Sequence, residues 1–334
     1  MKKFKLSKLK LVHWILIAIF IMLFIYINYR IIDNFETSIR KEKVKYDWNN
    51  VKITDEQKNK YFPDEYHKKY KYDKLKPDTI FVSIASYRDP ECTRTVSELF
   101  KKAFDWRNIY VGVCTQNKDS DKKCIDESLE KYKSNITELN LSYLEARGPQ
   151  WARYMCSHLW NGEEYFLMID SHLMFKDNWD IIIKNMYKNC PTNKAILTGY
   201  PPHHGVDGDN GNAFKDKDNF SYTCKSHFDH DNFHIISGAT HISTQDRKEP
   251  WSTPYASAGF FFTNYKWLYE VPFDPYTPHL FQGEEILLAA RSYTNGWDMF
   301  NLNQAICTHH YDRRQDNLPH FWDDHNDFYE IQKL

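Results

Sequence analysis

Short apolar runs alternate along the chain with segments whose apolar residues recur every three or four positions. The runs TIFVSIA (79–85), IYVGVCT (109–115) and EYFLMI (164–169) have the length and residue types of buried strands. Between them, CTRTVSELFKKAF (92–104) and QWARYMCSHLW (150–160) have the spacing of amphipathic helices. This alternation predicts an α/β domain with a mostly parallel sheet flanked by helices.

In such a sheet the ligand crevice lies at the carboxyl ends of the strands. The loops after Ala85, Thr115, Leu144 and Ile169 are therefore expected to converge. The chain has no glycine fingerprint of the G-x-G-x-x-G or G-x-x-x-x-G-K-S kind, so a dinucleotide or P-loop site has little support. Residues 203–250 are polar, His-rich and irregular, which is typical of a functional loop or lid.

The N-terminal segments have a different pattern. Residues 1–10 contain five lysines, and residues 11–27 contain no Asp, Glu, Lys or Arg. A membrane-spanning helix needs roughly 17 to 25 residues. No small-x-small cleavage site follows, which favours an uncleaved anchor over a cleaved signal peptide. We expect a cytoplasmic basic tail (1–10) and a transmembrane signal anchor (11–27).

Residues 28–77 are rich in Lys, Tyr, Asp and Asn and have no glycine, which is typical of a stem. The folded domain is then expected over 78–334. With the lysines on the cytoplasmic side, the chain is predicted to be a single-pass type II membrane protein that faces the ER or Golgi lumen. Sequons at Asn135, Asn140 and Asn219 agree with a luminal domain, and the seven cysteines permit a disulfide or two.

Composition argues against two classes of protein. The chain is 42% hydrophobic and 16% aromatic, enough for a substantial core, so disorder of the whole chain is not expected. Its 44 basic and 45 acidic residues nearly cancel, so no nucleic-acid partner is predicted.

The strand that ends at Ile169 is followed by Asp170, Ser171 and His172. Because side chains alternate along a strand, the first and third of these residues project from the same face and can reach one ion. A carboxylate and an imidazole with open positions suit Mn²⁺ or another divalent cation better than a closed structural zinc site. Alone, this triplet is more typical of a capped turn beside a packed histidine.

Other blocks of the sequence change that interpretation. They are SIASYRDPECTRTVSELFKKA, ARGPQWAR, GEEYFLMIDSHLMFKDNWD, GEEILLAARSYTNGWDMF and HHYDRR. In this order they resemble the polypeptide N-acetylglucosaminyltransferases directed at hydroxyproline and their mucin-type relatives that modify Ser or Thr, from about Asp78 to Asp324. The order of D-x-H, G-E-E and a late histidine is more distantly similar to the polypeptide N-acetylgalactosaminyltransferases.

The resemblance implies a GT-A fold that uses a UDP-sugar donor and Mn²⁺ and retains the configuration of the anomeric carbon. Carried over by motif, Asp170 and His172 would bind the metal, and Asp170 would also contact the donor diphosphate. The late ligand would be His309 or His310. Strand alternation lets only one of these two face the ion, and the sequence does not decide which.

Tyr87, Arg88 and Asp89 follow the first strand, where a parallel-sheet protein meets a nucleotide. We expect an aromatic face for uracil, a guanidinium for a phosphate and a carboxylate for the ribose or the base. A plain turn is the alternative, because Asp-Pro is common turn chemistry. Arg153, one turn into a helix aimed at the same crevice, is expected to bind the anionic donor and to assist catalysis.

Glu284 and Glu285 lie at the predicted start of a helix, where acidic residues are favourable whatever their function. The resemblance implies that one of them acts near the acceptor hydroxyl or the sugar hydroxyls. Double displacement would need a carboxylate beside the anomeric carbon. We favour front-face attack, in which the leaving phosphate accepts the acceptor's proton, because no single carboxylate stands out as a nucleophile.

The sequence thus predicts a metal-dependent retaining glycosyltransferase that moves GlcNAc from UDP-GlcNAc to a hydroxyl of a polypeptide (hydroxyproline, Ser or Thr). One alternative is a transferase with another UDP-hexose or a glycan acceptor. Another is a non-catalytic GT-A domain that binds glycans or serves in assembly. A metal-dependent hydrolase has less support, since a second carboxylate pair for a two-metal centre is missing.

Overall fold

The computed structural model describes residues 70, 72–204, 219–228, 235–243 and 248–325. The predicted basic tail (1–10), the membrane anchor (11–27) and most of the stem (28–77) lie outside the described residues. Among the helices that are described, none is long and apolar enough to cross a membrane.

An eight-stranded sheet forms the centre of the domain. With strands numbered in chain order, its spatial order is β3 (Ile136–Ser142), β2 (Ile109–Asn117), β1 (Lys76–Tyr87), β4 (Glu163–Ile169), β10 (Phe260–Asn264), β6 (Ala195–Thr198), β11 (Asp298–Asn301) and β9 (Trp251–Ser252). Strands β3, β2, β1 and β4 are mutually parallel, but β10 runs antiparallel to both β4 and β6.

The sheet is mixed, but six of its eight strands run in one direction, as predicted, and only β10 and β9 run against them. Strand β6 ends at Thr198 beside Phe261, and β10 begins on that same side at Phe260. A strand that begins at the end of the sheet where its neighbour finished pairs antiparallel with it, because parallel pairing requires a crossover connection to the other end of the sheet.

Two two-stranded sheets lie outside this sheet: β5 (Leu173–Phe175) with β12 (Cys307–His309), and β7 (Asn219–Phe228) with β8 (Ile235–Ser243), both antiparallel. The second pair corrects the expectation that residues 203–250 are irregular throughout. The described α-helices are α1 (Cys92–Lys102), α2 (Pro149–Ser157), α3 (Trp179–Lys188), α4 (Lys266–Glu270), α5 (Glu284–Thr294) and α6 (Phe321–Asp324). The 3₁₀ segments are Trp106–Asn108, Glu127–Asn135 and Tyr143–Glu145.

The apolar runs of β1 and β4 are buried on both faces of the sheet, as continuous apolar strands require. Val82 and Leu167 point to one side and pack in a cluster with Leu99 of α1. Phe81 and Phe166 point to the other side, into a cluster that includes residues of α2 and α5. The period-two alternation of each strand therefore supplies two cores that fix the crevice end of the sheet.

A disulfide joins Cys92 at the start of α1 to Cys124, 32 residues along the chain, and the other five cysteines are free. The bond ties the helix that follows the Tyr87–Asp89 loop to the segment that follows β2. It therefore restrains the backbone beside the crevice.

Removing this disulfide should destabilise the domain. A closed loop of this length contributes about 3–4 kcal/mol by restricting the unfolded chain, so Cys92→Ala with Cys124→Ala should lower the free energy of unfolding by about 2–4 kcal/mol. Denaturant unfolding under non-reducing conditions measures the change. Cys190→Ala, which removes a half-buried free thiol, is the matched control. A double variant no less stable than this control would contradict the expectation.

Candidate functional site

A cavity of about 480 Å³ opens at the carboxyl ends of β1, β2 and β4. Its lining includes Tyr87, Gln116, Gly148 and Asp170, one residue from each of the four regions expected to converge. The convergence predicted from the strand pattern is thus confirmed. The volume lies within the range of about 300–1,000 Å³ that is typical of small-ligand sites.

Asp170, His172 and His309 form a group whose candidate ligand atoms all lie within 4.8 Å of one another. The first two come from the end of β4. The third is brought in by β12, which pairs with β5 so that His309 lies opposite Leu173. His309 Nε2 lies 3.0 Å from Asp170 Oδ2, and the two imidazole rings meet edge to face with centroids 4.5 Å apart.

His310 points elsewhere, as strand alternation requires. It is fully buried, with Nδ1 2.6 Å from Glu91 Oε2 and Nε2 2.7 Å from Asp316 Oδ2. Both ring nitrogens are occupied by carboxylates outside the Asp170 group. Of the two late histidines, the structure therefore brings only His309 to the other candidate ligands.

Gly259 makes room for this group. A Cβ atom there would lie 2.8 Å from Asp170 Oδ2, closer than real Cβ contacts. The sequence carries only a weak signal of this role, since a glycine before a strand often marks a close approach.

Arg153 is buried between two carboxylates. One terminal nitrogen donates to Asp170 Oδ1 at 2.9 Å, and the other donates to Glu284 Oε1. Burial alone would raise the pKa of Asp170, but the hydrogen bond from His309 and the charge of Arg153 lower it below the usual range. Burial raises the pKa of Glu284 to about 7, against the opposing effect of Arg153. Arg153 is shared by the two carboxylates, and Asp170 has a second partner, His309, that Glu284 lacks.

The two adjacent glutamates differ in what they contact. Glu285 accepts hydrogen bonds from the backbone N–H of Ala258 at 3.0 Å and from the Tyr200 hydroxyl. Glu284 Oε2 is buried and has no hydrogen-bond partner among the described residues. Both residues line the cavity, and of the two only Glu284 has a carboxyl oxygen without a hydrogen-bond partner among the described residues.

Residues at the end of β1 and in the loop after it contact helix α6 (Phe321–Asp324). The Tyr87 hydroxyl donates to Asp324 Oδ2 at 2.8 Å, and Arg88 donates to the same oxygen at 2.7 Å. Arg88 also pairs with Asp121, which follows β2. Burial first, and then Asp324, raises the pKa of Tyr87. Tyr87 lines the cavity, whereas Arg88 is turned towards the two carboxylates.

Asp89 is buried beside the metal-binding candidates. Its Oδ2 lies 2.8 Å from His172 Nδ1 and accepts from the Ser171 hydroxyl at 2.5 Å. Its Oδ1 accepts from the backbone N–H of Glu91 at 2.9 Å and from Arg313 at 3.0 Å. Burial alone would raise the pKa of Asp89, but His172 and Arg313 hold it below the usual range.

Several of these contact residues were not among the sequence candidates. They are Gly259, Tyr200, Arg313 and Asp324. Arg313 lies in the HHYDRR block, but nothing in the sequence assigns it to Asp89. Asp324 could not be predicted, because its role depends on where α6 packs.

One carboxylate and two imidazoles suit a borderline divalent cation such as Mn²⁺, Fe²⁺ or Co²⁺. Three protein groups leave coordination positions for substrate oxygens. The same donor types also serve Fe(II) oxygenases, so the ligand set alone does not identify the reaction.

A family model described as "Glycosyltransferase (GlcNAc)" matches residues 79–134 and 125–334. No curated protein matches the chain. The solved structure of GalNAc-T7 with UDP, GalNAc and Mn²⁺ aligns with a TM-score of 0.52 at 15% identity, and covers 70% of this chain and 43% of that one. S. aureus TarS 1-349 in complex with UDP-GlcNAc aligns with a TM-score of 0.48 at 16% identity, and covers 76% and 64%.

The likeness to GalNAc-T7 concerns the fold, a mixed α/β sheet with flanking helices of the GT-A type. The chain spans less than half of the length of that protein.

The carboxyl of Glu284 should titrate near neutral pH in the metal-free protein. A pKa raised from 4.5 to about 7 stabilises the fold fully below about pH 4.5, and this stabilisation is lost as the pH rises through 7. Wild type should therefore lose stability relative to Glu284→Gln between pH 5 and 8, by on the order of 2 kcal/mol. Denaturant unfolding with chelator present measures the difference. Parallel pH profiles for the two proteins would show that the pKa of Glu284 is ordinary.

Proposed function

The chain belongs to the Glycosyltransferase (GlcNAc) family, and from this membership we propose that it moves GlcNAc from UDP-GlcNAc to a hydroxyl of a polypeptide. The observation that carries the proposal is the meeting of Asp170, His172 and His309 in the crevice of a glycosyltransferase domain. The acceptor hydroxyl would belong to hydroxyproline, Ser or Thr.

The residues fit a divalent cation. Their candidate ligand atoms lie within 4.8 Å of one another, and Gly259 leaves room beside the Asp170 carboxylate. Mn²⁺, which is bound in the GalNAc-T7 structure, is the proposed cation. Held by Asp170, His172 and His309, it would neutralise charge that develops on the donor diphosphate.

Donor binding would use the loops around this group. Tyr87 and Gln116 line the cavity at the ends of β1 and β2, where nucleotides bind in sheets of this kind. Arg153 lines it beside Asp170, so its guanidinium is placed to attract an anionic donor while holding that carboxylate. Glu284 Oε2, which has no partner among the described residues, is the proposed acceptor for a sugar hydroxyl.

The transfer breaks the bond between the anomeric carbon and the diphosphate oxygen and forms a bond from that carbon to the acceptor oxygen. The acceptor's proton passes to the departing phosphate oxygen, so UDP leaves with the proton it needs. In front-face attack both events occur on one face of the sugar, and the configuration is retained. The protein's part is to orient the two substrates and stabilise the developing charge.

The state of the cavity's carboxylates supports this route over a covalent intermediate. A nucleophile must be ionised and free to attack. Among the described lining residues, Asp89, Asp170 and Glu285 are all held by hydrogen bonds, and burial raises the pKa of Glu284 to about 7. None of these four combines full ionisation with an unengaged oxygen.

The mouth of the cavity supports a polypeptide acceptor. Phe281 and Trp322 meet edge to face there with ring centroids 5.7 Å apart, and the Phe281 residue is 49% exposed. An aromatic pair with one exposed ring offers apolar contact to the residues that flank an acceptor hydroxyl. A glycan acceptor is the second candidate, because sugar faces also stack on aromatic rings.

The predicted tail, anchor and stem support a membrane location for the proposed enzyme. We propose a single-pass type II arrangement with the domain over 78–334 in the ER or Golgi lumen. The support is the lysine-rich start followed by residues 11–27 without charge.

The proposal predicts UDP release when the purified protein is mixed with UDP-GlcNAc, Mn²⁺ and a hydroxyl-bearing peptide. Asp170→Asn should lose at least about 99% of this activity, because the remaining amide is a poor ligand for the cation. Coupled detection of UDP, with mass spectrometry of the peptide, follows both products. Asp177→Asn, which alters an exposed carboxylate after β5, is the control. The proposal would be refuted if none of the UDP-sugars led to UDP release, or if the release were unchanged by Asp170→Asn and by chelator.

Substitutions of His309 and His310 should differ in their effects on Mn²⁺ binding. His309→Gln should weaken Mn²⁺ binding at least about tenfold, because it removes a direct ligand. His310→Gln should lower the thermal stability, because it disrupts the buried contacts with Glu91 and Asp316, and should leave Mn²⁺ affinity unchanged. Mn²⁺ titration followed by electron paramagnetic resonance, with a melting curve for each variant, makes the comparison. Weaker binding in His310→Gln with normal binding in His309→Gln would reverse the assignment.

A further inference from the structure

The carboxylate of Asp89 is buried and fully engaged. Its side chain is 1% exposed, and each of its oxygens already has two partners at 2.5–3.0 Å. A ribose hydroxyl or a base N–H would have to displace one of these partners in a buried setting, at considerable cost. The residue expected to meet the nucleotide thus faces His172 instead.

This contact determines which nitrogen of His172 carries the proton. An ionised carboxylate can only accept, so Nδ1, at 2.8 Å from Asp89 Oδ2, must be the donor. In a neutral imidazole the other nitrogen then carries the lone pair. Nε2 of His172 is therefore the atom prepared to bind a cation.

We propose that Asp89 is a positioning residue that fixes the ring and the tautomer of His172 for metal binding. The inference rests on the cation site of the proposed function. Hydrogen bonds of this kind raise the basicity of a ligating histidine, and their loss typically weakens metal affinity by about 10–100-fold.

Asp89 is itself held by groups from three parts of the fold. Ser171 belongs to the end of β4, the Glu91 N–H precedes α1, and Arg313 follows β12. Arg313 lies 11% exposed and connects Asp89 to the segment that carries His309. Because Asp89 is held by these three groups, it restricts the His172 ring more tightly than an otherwise unheld carboxylate would.

His309 provides an internal contrast. Its Nε2 faces Asp170, while its Nδ1 has no hydrogen-bond partner among the described residues. No carboxylate fixes the far side of that ring in the described part of the chain. The effect of Asp89 should therefore be confined to His172.

The test compares wild type with Asp89→Asn in the full-length protein. The Mn²⁺ dissociation constant is measured by electron paramagnetic resonance of free Mn²⁺, and it should rise about 10–100-fold in the variant. The imidazole ¹⁵N shifts of the metal-free protein, assigned with His172→Gln, give a readout that needs no metal. They should show a protonated Nδ1 and an unprotonated Nε2 for His172 in wild type.

Glu91→Gln is the matched control. Glu91 is a second buried carboxylate that contacts a histidine, His310, and shares the same nitrogen of Arg313. It lies outside the Asp170 group. The variant should lose stability as Asp89→Asn does, but it should bind Mn²⁺ as wild type does and keep the His172 tautomer.

Two outcomes would overturn the inference. One is Mn²⁺ affinity in Asp89→Asn that equals that of wild type or of Glu91→Gln. The other is a wild-type His172 protonated at Nε2, a result that stands even if the variant does not fold. Wild type that binds no Mn²⁺ and releases no UDP would instead refute the proposed function, while the tautomer measurement would still report on Asp89.

Discussion

The site depends on one buried guanidinium. Arg153, from α2, reaches Asp170 at the end of β4 and Glu284 at the start of α5, so three elements meet at one charge. A buried cation without partners would be strongly destabilising, and so would either carboxylate without the cation. Asp170 also contacts His309 and stays ionised, whereas burial raises the pKa of Glu284. The same contacts therefore create a ligand for a cation and a carboxyl that can meet a sugar hydroxyl.

Behind this centre, a second guanidinium organises two histidines. Arg313 contacts both Asp89 and Glu91, and each of these carboxylates contacts a different histidine, His172 or His310. The two pairs have similar chemistry but different positions. Only the first pair includes a residue of the Asp170 group. Buried charge here fixes side-chain orientation at the site, which is a role distinct from adding stability.

The local parts of this arrangement were readable from the sequence. The apolar runs of β1 and β4 predicted buried strands, and the D-x-H triplet predicted two ligands on one face. What could not be predicted depends on contacts between distant segments. The choice of His309 over His310 follows from the register of β12 on β5, about 130 residues away in the chain. The antiparallel β10 and the turn of Asp89 towards His172 likewise follow from packing that no local pattern encodes.

In the proposed function, Asp170, His172 and His309 together hold a divalent cation that meets the donor diphosphate. Pulsed electron paramagnetic resonance of the Mn²⁺-loaded protein tests it most directly, because it detects the nuclei bound to the ion. The account predicts couplings to two imidazole nitrogens, and a ³¹P coupling that appears when UDP is added. The absence of nitrogen couplings, or nitrogen couplings without a ³¹P coupling at saturating UDP, would contradict this arrangement.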